Sequence, residues 1–284
     1  MFWIAMSLVI ISGTMNAIWN FFAKRSESKQ AYLALIVMTA NVILIPILLM
    51  ELLSERYRLQ VYLLLLLSMA AQAAYAFMLS QVYKLGDLSQ VYPIQRGTGV
   101  LLIPLISVIF MGERLSIGGW AGVAIILLGI LGLSEWNKRS NPGQAVQLMP
   151  VLIALGVGLC TTSYVLIDKM TLQYVTPLTL IAASNIGFML GNVRTMVNGK
   201  TLLSEWRKNK GMILLGSVLM PGSYFLFLLA MNLAPVSHIA PVREIGTVVA
   251  TLLGIWILKE KNGIRRLMTA TAITAGIIVV GISG

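Results

Sequence analysis

The chain has 284 residues, of which 58% are hydrophobic and 11% charged, and its mean hydropathy is +0.86. Soluble domains carry about 25% charged and roughly 45–50% apolar residues, so a water-soluble globular fold is excluded. The formal net charge is +11, but Lys and Arg cluster in short connections beside apolar runs, as at helix ends among lipid headgroups, and not on a nucleic-acid-binding surface.

Ten apolar spans follow in order, at about 2–23, 31–50, 61–82, 88–111, 117–136, 148–168, 177–197, 211–231, 237–258 and 264–283. Many are close to the ~20 residues a helix needs to cross a hydrocarbon core about 30 Å thick. The period-2 alternation of a membrane β-barrel is missing. No basic leader precedes the first span, so no cleaved signal is expected. The longest polar connections are 134–147 and 198–210; the first holds Asn141-Pro142-Gly143, a turn signal that divides the chain into halves 1–140 and 141–284 with five spans each.

The halves repeat one another. Ser89, Pro93, Ile94 and Arg96 of span four fall on Ser237, Pro241, Val242 and Glu244 of span nine, and after a one-residue slip Glu113 falls on Glu260. Trp19 and Lys24 of span one fall on Tyr164 and Lys169 of span six at an offset of 145. Spans three and eight share aromatic clusters beginning at Tyr75 and Tyr224, and spans five and ten share Gly129 and Gly276. With an odd number of spans per half, the second half inserts upside down. The expected fold is therefore an all-α integral membrane protein with ten transmembrane helices, arranged as two inverted five-helix repeats around a central cavity.

Loop charge sets the expected orientation. The connections on one side hold fifteen Lys and Arg and those on the other side four, which places the basic side in the cytoplasm and both termini outside.

A charged side chain at mid-bilayer costs about 2.5–3.5 kcal/mol even on the lenient insertion scale, so such residues face a cavity or a partner. Arg96, Arg243 and Glu244 lie deepest in their spans, and spans four and nine are expected to line the cavity. Arginine holds a carboxylate or phosphonate through its planar fork, and Glu244 is the proton-coupling candidate, since desolvation favours a neutral carboxyl. Two arginines against one glutamate favour an anionic or zwitterionic substrate. A plain Arg96–Glu244 ion pair that locks two helices is the competing reading. Asn16 and Asn20, spaced i, i+4 beside Trp19, share one helix face, and Tyr75, Tyr164 and Tyr224 complete the expected cavity wall. Pro93 and Pro241 are helix-kink candidates; a proline in the first turn explains them equally well. His238 reads as a helix-start residue, and Gly118…Gly122 and Gly187…Gly191 as helix-packing pairs. A single Cys160 excludes a disulfide framework. One His and one Cys build no conventional zinc site, no Walker loop is present, and no catalytic triad is evident. No metal, cofactor or enzymatic activity is expected.

The Trp19…Lys24 ending of span one and the Gly112-Glu113-Arg114-Leu115 turn, set in ten spans with a five-plus-five repeat, resemble the EamA-type repeat of the drug/metabolite transporter superfamily, here in two tandem copies covering essentially the whole chain. The second copy departs from the pattern, reading Lys259-Glu260-Lys261 where a Gly-Glu pair is usual. The resemblance implies a basket-like carrier working by alternating access, in many relatives an exporter of amino acids or other metabolites driven by proton exchange. It also implies cytoplasmic termini, opposite to the loop charge. The expected function is secondary active export of a small polar metabolite across a bacterial-type plasma (inner) membrane. The expected partners are that substrate, the lipid bilayer and protons, with no nucleic acid, in a monomer or homodimer. The residues leave open an importer of the same fold, and a lipid-handling or scaffold protein with no transport cycle.

Overall fold

The computed structural model describes residues 1–85, 88–133, 148–257 and 263–283. The 134–147 connection with its Asn-Pro-Gly turn, Gly86-Asp87, and the Lys259-Glu260-Lys261 segment lie outside the described residues. The chain is helical throughout: α1 (Phe2–Arg25), α2 (Lys29–Ser54), α3 (Leu59–Leu85), α4 (Leu88–Met111), α5 (Ile117–Leu133), α6 (Leu148–Thr171), α7 (Pro177–Gly191), α8 (Val193–Met196), α9 (Gly199–Leu233), α10 (Val236–Val242), α11 (Ile245–Trp256) and α12 (Gly263–Ser283).

Among the described residues, eight helical spans are long and apolar enough to cross a membrane, and two further helices, Ile117–Gly132 and Pro177–Gly191, are apolar but shorter. The 24 residues of α1 reach ~36 Å at about 1.5 Å per residue, enough for the core of a bilayer. Large apolar side chains such as Ile10, Val42, Leu66, Ile109, Leu128, Leu159, Val218 and Ile278 point outward and stay exposed. In water such a surface drives association; in a bilayer it meets acyl chains. The molecule is an all-α, multi-pass membrane protein.

Small residues set how closely the helices approach. On α5, a Cβ on Gly122 would meet the Gly276 carbonyl of α12, and on α7 one on Gly187 would meet the Met69 carbonyl of α3. Both glycine pairs thus pack helices, as their spacing suggested. Gly112 ends α4 at φ 68°, the left-handed conformation glycine adopts without strain. The contacts fall into matched sets: α1 packs on α9 and α3 on α6; α1 on α11 and α4 on α6; α2 on α9 and α3 on α7; α4 on α5 and α11 on α12. The pairs α2–α7, α5–α12 and α4–α10 complete them. Exchanging α1 with α6, α2 with α7, α3 with α9, α4 with α10–α11, and α5 with α12 turns each of these contacts into its match or into itself.

Three expectations about elements need correction. Span nine is two helices: after Pro241 the chain leaves α10 and passes through Arg243 and Glu244 before α11. Bonds from Glu244 N–H to Pro241, from Gly246 N–H to Arg243 and from Thr247 N–H to Glu244 are of the tighter i→i−3 kind there. Of the two kink candidates, Pro241 therefore precedes a break, whereas α4 runs on through both Pro93 and Pro104. The 198–210 segment, expected as a loop, is the start of the 35-residue α9. It is capped by the Asn198 side chain on Thr201 N–H and bends at Asn209 (φ −122°, ψ 24°). Its Glu205 is buried, accepting from Ser28 N–H at 3.1 Å and Asn209 Nδ2 at 2.6 Å. Lastly, α7 stops at Gly191 instead of reaching residue 197, and Asn192 leads into the single-turn α8.

Candidate functional site

A cavity of about 450 Å³ lies among the helices, within the ~300–1,000 Å³ of small-molecule sites. Side chains of α1–α4, α6, α7 and α9–α11 wall it; α5 contributes none and α12 only Arg266. The lining reaches Lys24 at the end of α1, Lys29 at the start of α2 and Arg266 near the start of α12, so the mouth opens among basic groups. In the other direction it stops at Ile181, Phe227 and Ala240, short of the far helix ends.

The nine residues expected at the site, Asn16, Trp19, Asn20, Tyr75, Arg96, Tyr164, Tyr224, Arg243 and Glu244, all line this cavity, as does Pro93. Pro241 does not, and His238 is buried with its ring edge-on to Phe2. Asn20 Nδ2 donates to Asn16 Oδ1 at 2.9 Å, which fixes one amide on the shared face of α1. Tyr75, Tyr164 and Tyr224 form a ring-to-ring wall with centroids 5.8 and 6.1 Å apart.

The charges divide unequally. Arg96 Nη1 lies 3.4 Å from Glu244 Oε1; its Nε donates to the Tyr92 hydroxyl at 3.3 Å, and Thr247 Oγ1 donates to Glu244 Oε2 at 2.6 Å. Among the described residues, Arg243 has no such carboxylate. Its guanidinium sits 4.3 Å from the Phe227 ring centroid and 5.4 Å from that of Tyr224, and Nη2 donates to Ser223 Oγ at 3.5 Å. Among the described residues, two buried side-chain polar atoms lack a hydrogen-bond partner, Arg243 Nε and Gln95 Oε1, and both belong to residues of the cavity wall. Buried polar atoms in native proteins are nearly always partnered. Gln95 carried no signal in the sequence, because one amide within an apolar run is ordinary.

Opposite the mouth, carboxylates tie the first-half helices to the second half. Glu51 of α2 accepts from Thr176 N–H (2.9 Å), Thr176 Oγ1 and Thr179 Oγ1 (2.5 Å each) at the start of α7, and from Tyr57 OH (2.9 Å). Glu113, after α4, accepts from Val236 N–H (2.9 Å) and Ser237 N–H (2.8 Å) at the start of α10 and from Ser107 Oγ. Burial pushes the Glu113 carboxyl up, but the bonds from Ser107, Ser237 and Val236 outweigh it and hold the group below its ordinary value. Glu113 stands in the Gly-Glu-Arg-Leu turn, yet its contact with α10 leaves no trace in the sequence, since Val236 and Ser237 lie more than a hundred residues away. Asp168, read from sequence as the last residue of span six, is in fact wholly buried inside α6, which continues to Thr171.

An all-helical, multi-pass membrane protein whose helices wall a one-sided, charge-bearing cavity is built as a membrane transporter. Residues 148–282, nearly half of the chain, match the EamA-like transporter family, which supports an EamA-type transporter of the drug/metabolite transporter superfamily. A solved structure described as "Crystal structure of protein" superposes with a TM-score of 0.73 at 18% identity, covering 96% of this chain and 98% of that one; at that identity the likeness speaks for the fold. No curated protein matches the chain.

Proposed function

We propose that the chain is a secondary active exporter of a small zwitterionic or anionic metabolite, of amino-acid type, working by alternating access in a bacterial-type plasma membrane. In this reading ten helices cross the bilayer as two inverted repeats, 1–140 and 141–284. The exchange relation among the helix contacts supports that arrangement, with α5 and α7 as the short crossings. The loop charges put the basic side in the cytoplasm and the termini outside. The cavity then faces the cytoplasm, the state from which an exporter loads.

The observation that carries the reading is Arg243: a half-buried guanidinium with no carboxylate in ion-pair contact among the described residues, a buried and unpartnered Nε and two aromatic rings beneath it. Leaving a cation unpaired away from water is costly, and an incoming carboxylate relieves that cost. The unpartnered Gln95 Oε1 supplies an acceptor for the ammonium end of a zwitterion. Asn16, Asn20, Trp19 and the three tyrosines position the rest of the molecule. Glu244, the proton-coupling candidate of the sequence, is engaged by Arg96 and Thr247, and a substrate carboxylate competing for Arg96 would open that pair.

The test is uptake of radiolabelled amino acids, phosphonates and amines, in turn, into proteoliposomes, with pH recorded inside the vesicles. The wild type should move an amino acid or another anionic or zwitterionic compound. Arg243→Gln should lose that binding by about tenfold or more, and Arg243→Lys should not restore it, because the planar fork is gone. Transport of amines alone, or full activity in Arg243→Gln, would overturn the assignment. Arg96→Gln and Glu244→Gln in the same assay separate substrate and proton roles from structural pairing.

A further inference from the structure

The cavity floor hides a carboxylate that the scheme above leaves unused. Asp168 is completely buried, and no Lys or Arg forms an ion pair with it among the described residues. Its partners are hydroxyls: Ser68 Oγ of α3 at 2.5 Å and Tyr224 OH of α9, with Ser184 Oγ of α7 3.2 Å beyond Ser68. The nearby charged and titratable groups are otherwise committed. On its own helix Lys169 donates to the Met231 carbonyl, and the Tyr164 ring lies edge-on between those of Tyr75 and Tyr224. Arg243, at the end of α10, lies over the Tyr224 ring, and α7 carries no titratable group.

An isolated ionised carboxylate in a low-dielectric interior is strongly disfavoured, and an ionisable group inside a membrane helix marks an ion or proton pathway by default. This hydroxyl set serves both protonation states. Ionised, Asp168 accepts from Ser68 and Tyr224; protonated, it donates through one oxygen to a hydroxyl that has turned, and accepts through the other. Tyr224 and Ser184 also line the cavity, so the acid is one hydroxyl away from the substrate chamber. The fold itself does not call for an acid here. The repeat offset that pairs Trp19 with Tyr164 and Lys24 with Lys169 sets Asp168 against Ala23, an equally well-packed alanine.

Building on the carrier reading, we propose that Asp168 is the proton-binding site of the transport cycle, reached from the cavity through the Tyr224 hydroxyl. A hydronium in the cavity gives a proton to the Tyr224 oxygen as the Tyr224 hydrogen passes to Asp168 Oδ2. One O–H bond forms and one breaks at the tyrosine, which ends unchanged, and the carboxylate becomes the acid. The site lies between the chamber and the latched face, placed to release its proton when that face opens.

The proton is its own probe, so the first experiment needs no substrate. Infrared difference spectra of the purified full-length protein, titrated with acid, should show the carbonyl stretch of a protonated carboxylic acid. Asp168→Asn should remove that band and Glu244→Gln should keep it; Tyr224→Phe, which strips one hydrogen bond, should move it to higher frequency. A spectrum without a titrating band, or a band that survives in Asp168→Asn, overturns the proposal. The second experiment uses the labelled amino acid that wild-type vesicles take up. Asp168→Asn should lose accumulation driven by a pH gradient while retaining exchange between preloaded and external label, which also shows that it is folded. Wild-type exchange that ignores a pH gradient refutes the proton site and leaves the carrier standing. Failure of every compound to move sinks the carrier reading, and the infrared titration still decides Asp168.

Discussion

Replacing Glu113 with Gln tests whether the face opposite the mouth is held shut by the contacts described. The carboxylate accepts from Val236 N–H at 2.9 Å, Ser237 N–H at 2.8 Å and Ser107 Oγ. A hydrogen bond to a charged group contributes about 1.5–3 kcal/mol. Gln keeps one accepting oxygen but turns an NH₂ toward the remaining donors, so at least one such bond is lost, together with the negative charge. The closed state should weaken by about 2–3 kcal/mol, or about 30- to 150-fold in population at ~1.4 kcal/mol per tenfold. Val236 is wholly buried beside the latch, so Val236→Cys in a Cys160→Ala background reports opening. The readout is the rate of its reaction with a membrane-impermeant maleimide added on the latched side. Adding Glu113→Gln should raise that rate by the same factor. A rate within about twofold of the parent, in protein of unchanged thermal stability, would mean that other contacts close this face and that the free-energy assignment is wrong.

Acid should act on the same latch. A carboxylate held below its ordinary value contributes fully above that value and loses its contribution as pH falls through the lower folded one. Divided by the rate of a free thiol at the same pH, which removes the thiolate's own pH dependence, the Val236→Cys rate should therefore stay flat from neutrality down to about pH 4.3, the ordinary glutamate value, and rise only below it; with Glu113→Gln the rise should vanish. Changing Arg96 to Met together with Glu244 to Leu removes both halves of an ion pair and should fold better than Glu244→Leu alone, which strands the guanidinium. Transport should be lost in both variants, and a transporting double variant would reduce the pair to a helix tie. Gly187→Ala drives a Cβ into the Met69 carbonyl, whereas Gly199→Ala meets nothing within 4 Å. Thermal denaturation in detergent should show the first destabilised by about 1–3 kcal/mol and the second unchanged or stabilised by up to about 1 kcal/mol; the reverse order refutes the packing account.

Hydropathy alone located the helices, because a chain that must satisfy its backbone in lipid has few alternatives to long apolar helices. The inward charges were legible for the same reason: Arg96, Arg243 and Glu244 stand far from any span end. Asp168 was not, since it lies one turn from the end of α6, where a sequence cannot tell an interfacial acid from a buried one; the packing of α3 and α9 around it decides. Glu51 and Glu113 escaped likewise, because a carboxylate near a helix end reads as solvated until the helix it caps is in place. The 198–210 segment was too polar for a membrane span and was read as a loop, but Asn198 caps it and Glu205 anchors it to Ser28, so it folds as helix outside the apolar stretch.

The short α10 joins these features mechanically. Its first N–H groups hang on Glu113, and seven residues on it delivers Arg243 to the chamber, a span of ~10 Å at about 1.5 Å per residue. Past Arg243 the backbone already turns on i→i−3 bonds, so α10 can pivot against α11 with little of a regular helix to dismantle. A segment hinged at one end and tethered at the other works as a lever. In a working carrier, letting go at Glu113 would swing the guanidinium, and pulling on the guanidinium would strain the tether. A ligand that grips Arg243 would in this way feel how firmly the distant door is fastened, with no relay of intervening side chains.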